Sequence, residues 1–268
     1  MWLPAGNPPR WSRRNNPSGT IPVLPSREAA RLSDESGAHP TLEPVGSRRA
    51  DPRGVVLVLH GGRAHSRDRG NRVRMTYLRM LPFARDLARA PGELAVFLLR
   101  YRYRGWNHPR MDALRDAEWA LAELHRRHPG VPVVLVGHSM GGRAALHAGG
   151  AANVVAVCAL APWLDGTDPV RQLAGRTVLI AHGDRERWTS PGESFAYALR
   201  ARRVTDRVCR FEVHGDGHGM LRRARDWHSL TRRFVLGVLG IEPLDPEIAN
   251  AMRLPAPDGL RATLHGAP

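Results

Sequence analysis

The chain has 268 residues, 42% of them hydrophobic, and a formal charge of +15 from 40 basic and 25 acidic residues. That length suits one α/β domain with extensions, and the hydrophobic content excludes wholesale disorder. Only two cysteines are present, Cys158 and Cys209, which excludes a disulfide framework and fits a reducing compartment; no apolar run approaches the ~20 residues needed to span a bilayer.

Residues 1–40 are rich in Pro, Ser, Asn and Arg without sustained periodicity, so a disordered N-terminal extension is expected there. No apolar signal region follows Arg13 and Arg14, which leaves a cytoplasmic protein as the expectation. A short strand is expected over 41–45. The run Val55-Val56-Leu57-Val58-Leu59 reads as a strand buried on both faces and ends in His60-Gly61-Gly62. Helical spacing follows over 75–90, a strand over 94–99, and a helix with its apolar residues on one side over 111–127. A strand over 133–136 then runs into Gly137-His138-Ser139-Met140-Gly141-Gly142, with a helix over 143–148. Further strands are expected at 154–160, 177–181 and 208–213, and helices at 195–202 and 220–239. Residues 241–268 are proline-rich and are expected to form an irregular tail, leaving 41–240 as the catalytic domain.

Strands alternating with helices build a mostly parallel sheet with helices on both faces. Chemistry in such sheets gathers at the carboxyl ends of the strands. His60-Gly61-Gly62, Ser139, Asp184 and Glu186, and His218 all stand at such ends. A serine nucleophile needs a base, a group that orients the base, and donors for the developing oxyanion. Ser139 sits where a strand turns sharply into a helix, with glycines two residues to either side. The order nucleophile, acid, histidine is supplied by Ser139, an acid after the 177–181 strand, and His218.

Over residues 55–240 the chain resembles the α/β-hydrolase superfamily. The resemblance rests on His60-Gly61-Gly62, Gly137-His138-Ser139-Met140-Gly141-Gly142, His182-Gly183-Asp184-Arg185-Glu186 and Gly215-Asp216-Gly217-His218. It implies an α/β-hydrolase fold with Ser139 as nucleophile, His218 as base, and an oxyanion hole from the backbone N–H groups of Met140 and Gly62. The superfamily places its aspartate four residues after the histidine of His-Gly, and Glu186 stands there; Asp184 is the alternative, with Glu186 preferred. Only residues 162–175 separate two consecutive strands where many relatives insert a helical cap. This points to a compact, capless serine esterase similar to dienelactone-hydrolase-like members, with no large cap domain.

The expected activity is hydrolysis of a carboxylic ester or thioester through an acyl-enzyme, without metal or organic cofactor. A peptidase or amidase of the same fold, or a non-catalytic binding protein that keeps it, are the alternatives. The partner is then a small-molecule acyl substrate. Every basic residue is arginine and the arginines are spread along the chain, a compositional habit of GC-rich coding rather than a mark of a nucleic-acid or membrane partner. Trp163 and Trp188 are expected to flank the mouth of the site. Arg100, Arg102 and Arg104 are candidates for attracting an acidic substrate.

Overall fold

A computed structural model of the chain describes residues 37–47 and 51–264. The extension expected over 1–40 therefore lies, for residues 1–36, outside the described residues. The apolar runs form strands β1 (Thr41–Val45), β2 (Gly54–Leu59), β3 (Leu94–Arg100), β4 (Val133–His138), β5 (Val154–Leu160), β6 (Thr177–Gly183), β7 (Val208–Val213) and β8 (Ala262–Thr263). They make one sheet in the order β1-β3-β2-β4-β5-β6-β7-β8. Only β1 runs antiparallel to its neighbour; every other pair is parallel.

The continuous apolar runs have a direct cause. Side chains alternate between the two faces of a strand, and both faces are covered. Val55, Leu57, Leu59 and Leu135 pack on one face with helices α2 (Asp112–Arg127), α3 (Met140–Ala148) and α4 (Pro191–Ala201). Val56, Val58, Val134 and Val136 pack on the other with α1 (Met75–Arg89), α5 (Ala224–Val238) and α6 (Pro246–Arg253). Fully burying each such Val or Leu contributes about 1.5–3 kcal/mol. Cys158 and Cys209 are free thiols buried in the core.

Three expectations are corrected. Helix α4 begins at Pro191 rather than 195, because the Ser190 hydroxyl accepts from the Glu193 amide at 3.1 Å and Pro191 stands at the first turn. The helix expected from 220 begins at Ala224: Met220 has φ +52°, and the Asp216 carboxylate takes the Arg223 amide at 2.9 Å. The segment 241–268 is not irregular over its described part. Asp245 caps α6 by accepting from the Glu247 and Ile248 amides, Ile248 and Ala251 are buried, and β8 pairs with β7.

Between β5 and β6, residues 161–176 hold only a single turn of 3₁₀ helix, Arg171–Leu173. That stretch therefore contributes no helical cap over the carboxyl ends of the strands.

Candidate active site

The turn after β4 is built by steric demand. Ser139 has φ +56° and ψ −120°, a conformation that L-residues adopt only under constraint. A side chain on Gly137 would strike the Gly141 carbonyl, and one on Gly141 would strike the carbonyls of Leu59 and His60. The glycines therefore let β4 and α3 fold tightly against the end of β2. The Ser139 carbonyl accepts amides from Arg143 and from Trp163, both at 3.1 Å, which pins the turn from two sides.

His218 lies on the loop after β7, and its Nδ1 is 2.8 Å from Glu186 Oε2. The Glu186 side chain has no exposed surface. Its Oε1 accepts the amides of Arg187 at 2.8 Å, Trp188 at 2.7 Å and Thr189 at 3.3 Å. Burial raises the Glu186 pKa, but the hydrogen bonds from His218 and from the Trp188 and Arg187 amides outweigh it and hold it at about 2. Asp184 goes elsewhere: it takes His214 Nδ1 at 3.0 Å and the Gly215 amide at 2.7 Å at the surface.

His138, beside Ser139, has its Nε2 2.9 Å from the His218 carbonyl. Burial, with the charge of the nearby His218, drives the His138 pKa down to about 3, so the ring is neutral and its Nε2–H donates. Asp216 braces the same loop. It accepts the Gly217 amide at 2.8 Å, the Arg223 amide and Trp227 Nε1 at 3.0 Å. His182 reaches Thr189 Oγ1 at 3.1 Å, and burial lowers its pKa to about 3. The motif reading missed His138 and Asp216 as supports. Their signal was present as polar residues inside the two motifs, but their partners become visible only in three dimensions.

Gly62 packs against the Met140 side chain. A Cβ on Gly62 would overlap the Met140 thioether and the Arg104 carbonyl. The Arg63 amide is committed to the Arg104 carbonyl at 2.8 Å, whereas the Gly62 amide has no partner among the described residues. Met140 opens α3, so its amide is one of the free first-turn donors of that helix. The positive end of the helix dipole thus lies directly after Ser139.

A second cluster, invisible in the motifs, locks the back of this helix. The Arg143 guanidinium lies between Trp106 and Trp163, 4.8 and 4.7 Å from the ring centres. Its Nε donates to Asp168 at 2.6 Å and its Nη2 to Asp165 at 2.5 Å. His147 Nε2 also lies 2.6 Å from Asp168. The clamp ties the 161–176 segment to α3, the helix that follows Ser139, and Trp163 serves it rather than the mouth. Trp188 does stand at the mouth, 80% exposed, with its ring 5.3 Å from that of His218. Arg100, Arg102 and Arg104 are not free for a substrate, because Glu43, Asp116 and Asp68 engage them. Among the described residues no group of three or more His, Cys, Asp or Glu is placed to hold a metal ion.

The sequence profile of a family described as "Alpha/beta hydrolase family" matches residues 55–267. No curated protein sequence matches the chain. Among solved structures, Est1E from Butyrivibrio proteoclasticus is similar with a TM-score of 0.56 at 13% identity, over 75% of this chain and 94% of that one. XC6422 from Xanthomonas campestris, described as an α/β serine hydrolase without lid, is similar at 0.54 and 17%, over 77% and 90%. The thermophilic esterase Est2 from Thermogutta terrifontis reaches 0.56 and 19%, over 79% and 91%. At such identities the similarity establishes the fold.

Proposed function

The chain belongs to the α/β hydrolase family, and on that premise we propose that it is a serine hydrolase cleaving a carboxylic ester or thioester through an acyl-enzyme. One observation carries the reading: the buried Glu186 carboxylate on His218 Nδ1 at 2.8 Å, on the loop that His138, the neighbour of Ser139, holds by its main chain. An imidazole fixed in this way keeps its proton on Nδ1, leaving Nε2 free to accept one.

Ser139 Oγ attacks the substrate carbonyl carbon as its proton passes to His218 Nε2. The tetrahedral oxyanion takes hydrogen bonds from the Met140 and Gly62 amides. The bond to the leaving oxygen or sulfur then breaks as His218 returns the proton to that atom. Water, deprotonated by His218, attacks the acyl-enzyme through a second oxyanion, and Ser139 is regenerated. Glu186 stabilises the imidazolium in both halves and stays ionised, as its low pKa allows. The uncapped mouth suits a compact acyl substrate.

Labelling with a fluorophosphonate probe tests this. The wild-type chain is expected to label, and Ser139→Ala and His218→Ala to lose labelling. A series of p-nitrophenyl esters then ranks acyl length. Absence of serine-dependent labelling in folded protein would overturn the reading in favour of a binding protein that keeps the fold.

A further inference from the structure

Among the described residues, every large apolar side chain exposed to solvent sits in the segments that frame the mouth. They are Val73, Met75, Leu78, Trp188 and Leu221, between 42% and 80% exposed. Trp188 follows Glu186 by two residues and Leu221 follows His218 by three. Met75, Leu78 and Arg79 share one face of α1 by their i, i+3, i+4 spacing. Arg79 Nη1 donates to the Gly219 carbonyl, next to His218, and so joins that helix face to the histidine loop. A Cβ on Gly219 would touch the Leu221 side chain at 3.4 Å and Arg79 Nη1 at 3.7 Å. The apolar groups therefore form one rim at the carboxyl edge of the sheet.

The same segments carry Arg63, Arg67, Arg187, Arg222 and Arg225, all exposed, without a side-chain hydrogen bond or ion pair among the described residues. The acids there are already engaged. Asp68 pairs with Arg104, Asp184 with His214 and Asp226 with Arg223, while Glu186 and Asp216 are buried. The rim is thus apolar at its tips and cationic between them.

We propose that this rim docks on the surface of an anionic lipid bilayer, with Trp188, Leu221 and Met75 entering the interfacial layer and the unpaired arginines facing phosphate headgroups. An exposed Trp among aliphatic tips and cations is the composition that lies at such interfaces. A second copy of the chain is disfavoured, because a self-complementary interface would set one cationic rim against another. Single-stranded nucleic acid is disfavoured because four of the five tips are aliphatic and offer no ring for base stacking. No helix among the described residues is long and apolar enough to cross a membrane, so the contact is peripheral. Docking is independent of the chemistry proposed for Ser139.

The full chain carrying Ser139→Ala is sedimented with vesicles of phosphatidylcholine alone and with vesicles that also contain about 30% phosphatidylglycerol, whose negative surface potential attracts arginines. Binding is expected to be at least about tenfold tighter to the anionic vesicles and to weaken with salt. Met75→Ser with Leu221→Ser should weaken it about tenfold. Arg187→Gln with Arg222→Gln should do the same, while Arg203→Gln with Arg207→Gln, exposed at the amino end of β7, should change it less than about threefold. Circular dichroism confirms that each variant is folded. Equal binding to both vesicles, equal losses for the two arginine pairs, no effect of the apolar pair, or self-association through Met75 and Leu221 in place of vesicle binding would each overturn the proposal.

Discussion

Replacing Glu186 with glutamine tests the proposed mechanism at one proton. Oε1 of Glu186 accepts three backbone amides, from Arg187, Trp188 and Thr189, while Oε2 faces His218. A glutamine has one accepting and one donating end. Turning its NH₂ toward the three amides would forfeit at least two buried hydrogen bonds, at about 1–3 kcal/mol each. Even about 2 kcal/mol leaves that orientation only a few per cent populated. The NH₂ must therefore face His218, whose Nδ1 can then only accept. The imidazole proton moves to Nε2, the atom that has to accept the Ser139 proton. The analogous loss of tautomer in a serine protease lowers kcat about 10⁴-fold, equivalent to roughly 5–6 kcal/mol of barrier. We expect Glu186→Gln to lower kcat for p-nitrophenyl acetate by about that factor, with circular dichroism unchanged. Asp184→Asn, on the exposed His214 pair, should stay within about twofold. A Glu186→Gln kcat within tenfold of wild type would refute the reasoning.

Three further outcomes follow from packing and burial. His60, His138 and His182 are kept neutral by burial, with pKa values of about 4, 3 and 3 against an ordinary 6.5. Their contribution to stability is complete above pH 6.5 and is lost as pH falls below it, because only the unfolded chain then takes up these protons; the slope should approach three protons, about 4 kcal/mol per pH unit, in urea titrations between pH 6.5 and 5. A urea midpoint unchanged over that interval would show that the rings are not buried neutral. Gly62→Ala forces a methyl into the Arg104 carbonyl, displacing the proposed oxyanion donor, and should lower kcat about 10²–10³-fold in ester assays. Arg143→Met leaves Asp168 buried without its main cation and should destabilise the fold by about 3–5 kcal/mol, seen as a fall in melting temperature of roughly 6–20 °C; a fall under 2 °C would sink the clamp.

The strands were legible because burial on both faces turns each into an unbroken apolar run, as in 55–59 and 133–136. The candidate residues Ser139, His218 and Glu186 were legible because each sits on a short motif at a strand end. Three kinds of feature were not. The Ser190–Glu193 cap leaves no mark in the apolar pattern, since helical spacing of apolar residues starts only at Phe195. Strand β8 has two residues, too few for a periodicity, and the prolines around it suggested coil although Pro246 opens a helix. The Arg143 clamp joins residues 22 and 25 positions apart, and in a chain with forty basic residues nothing local distinguishes a buried arginine from a solvated one.

Among the described residues, the two borders of the sheet have a consequence for association. On one side β1 carries Pro44, opposite Phe97 of β3, and proline has no N–H to offer an incoming strand. On the other side β8 spans only Ala262 and Thr263, too short to template a partner. Open strand borders are where sheets fuse into larger sheets or begin to aggregate. With both borders blunted, copies of this protein are expected to resist strand-to-strand polymerisation even when concentrated, and the last two-residue strand acts as the stopper on the β7 side.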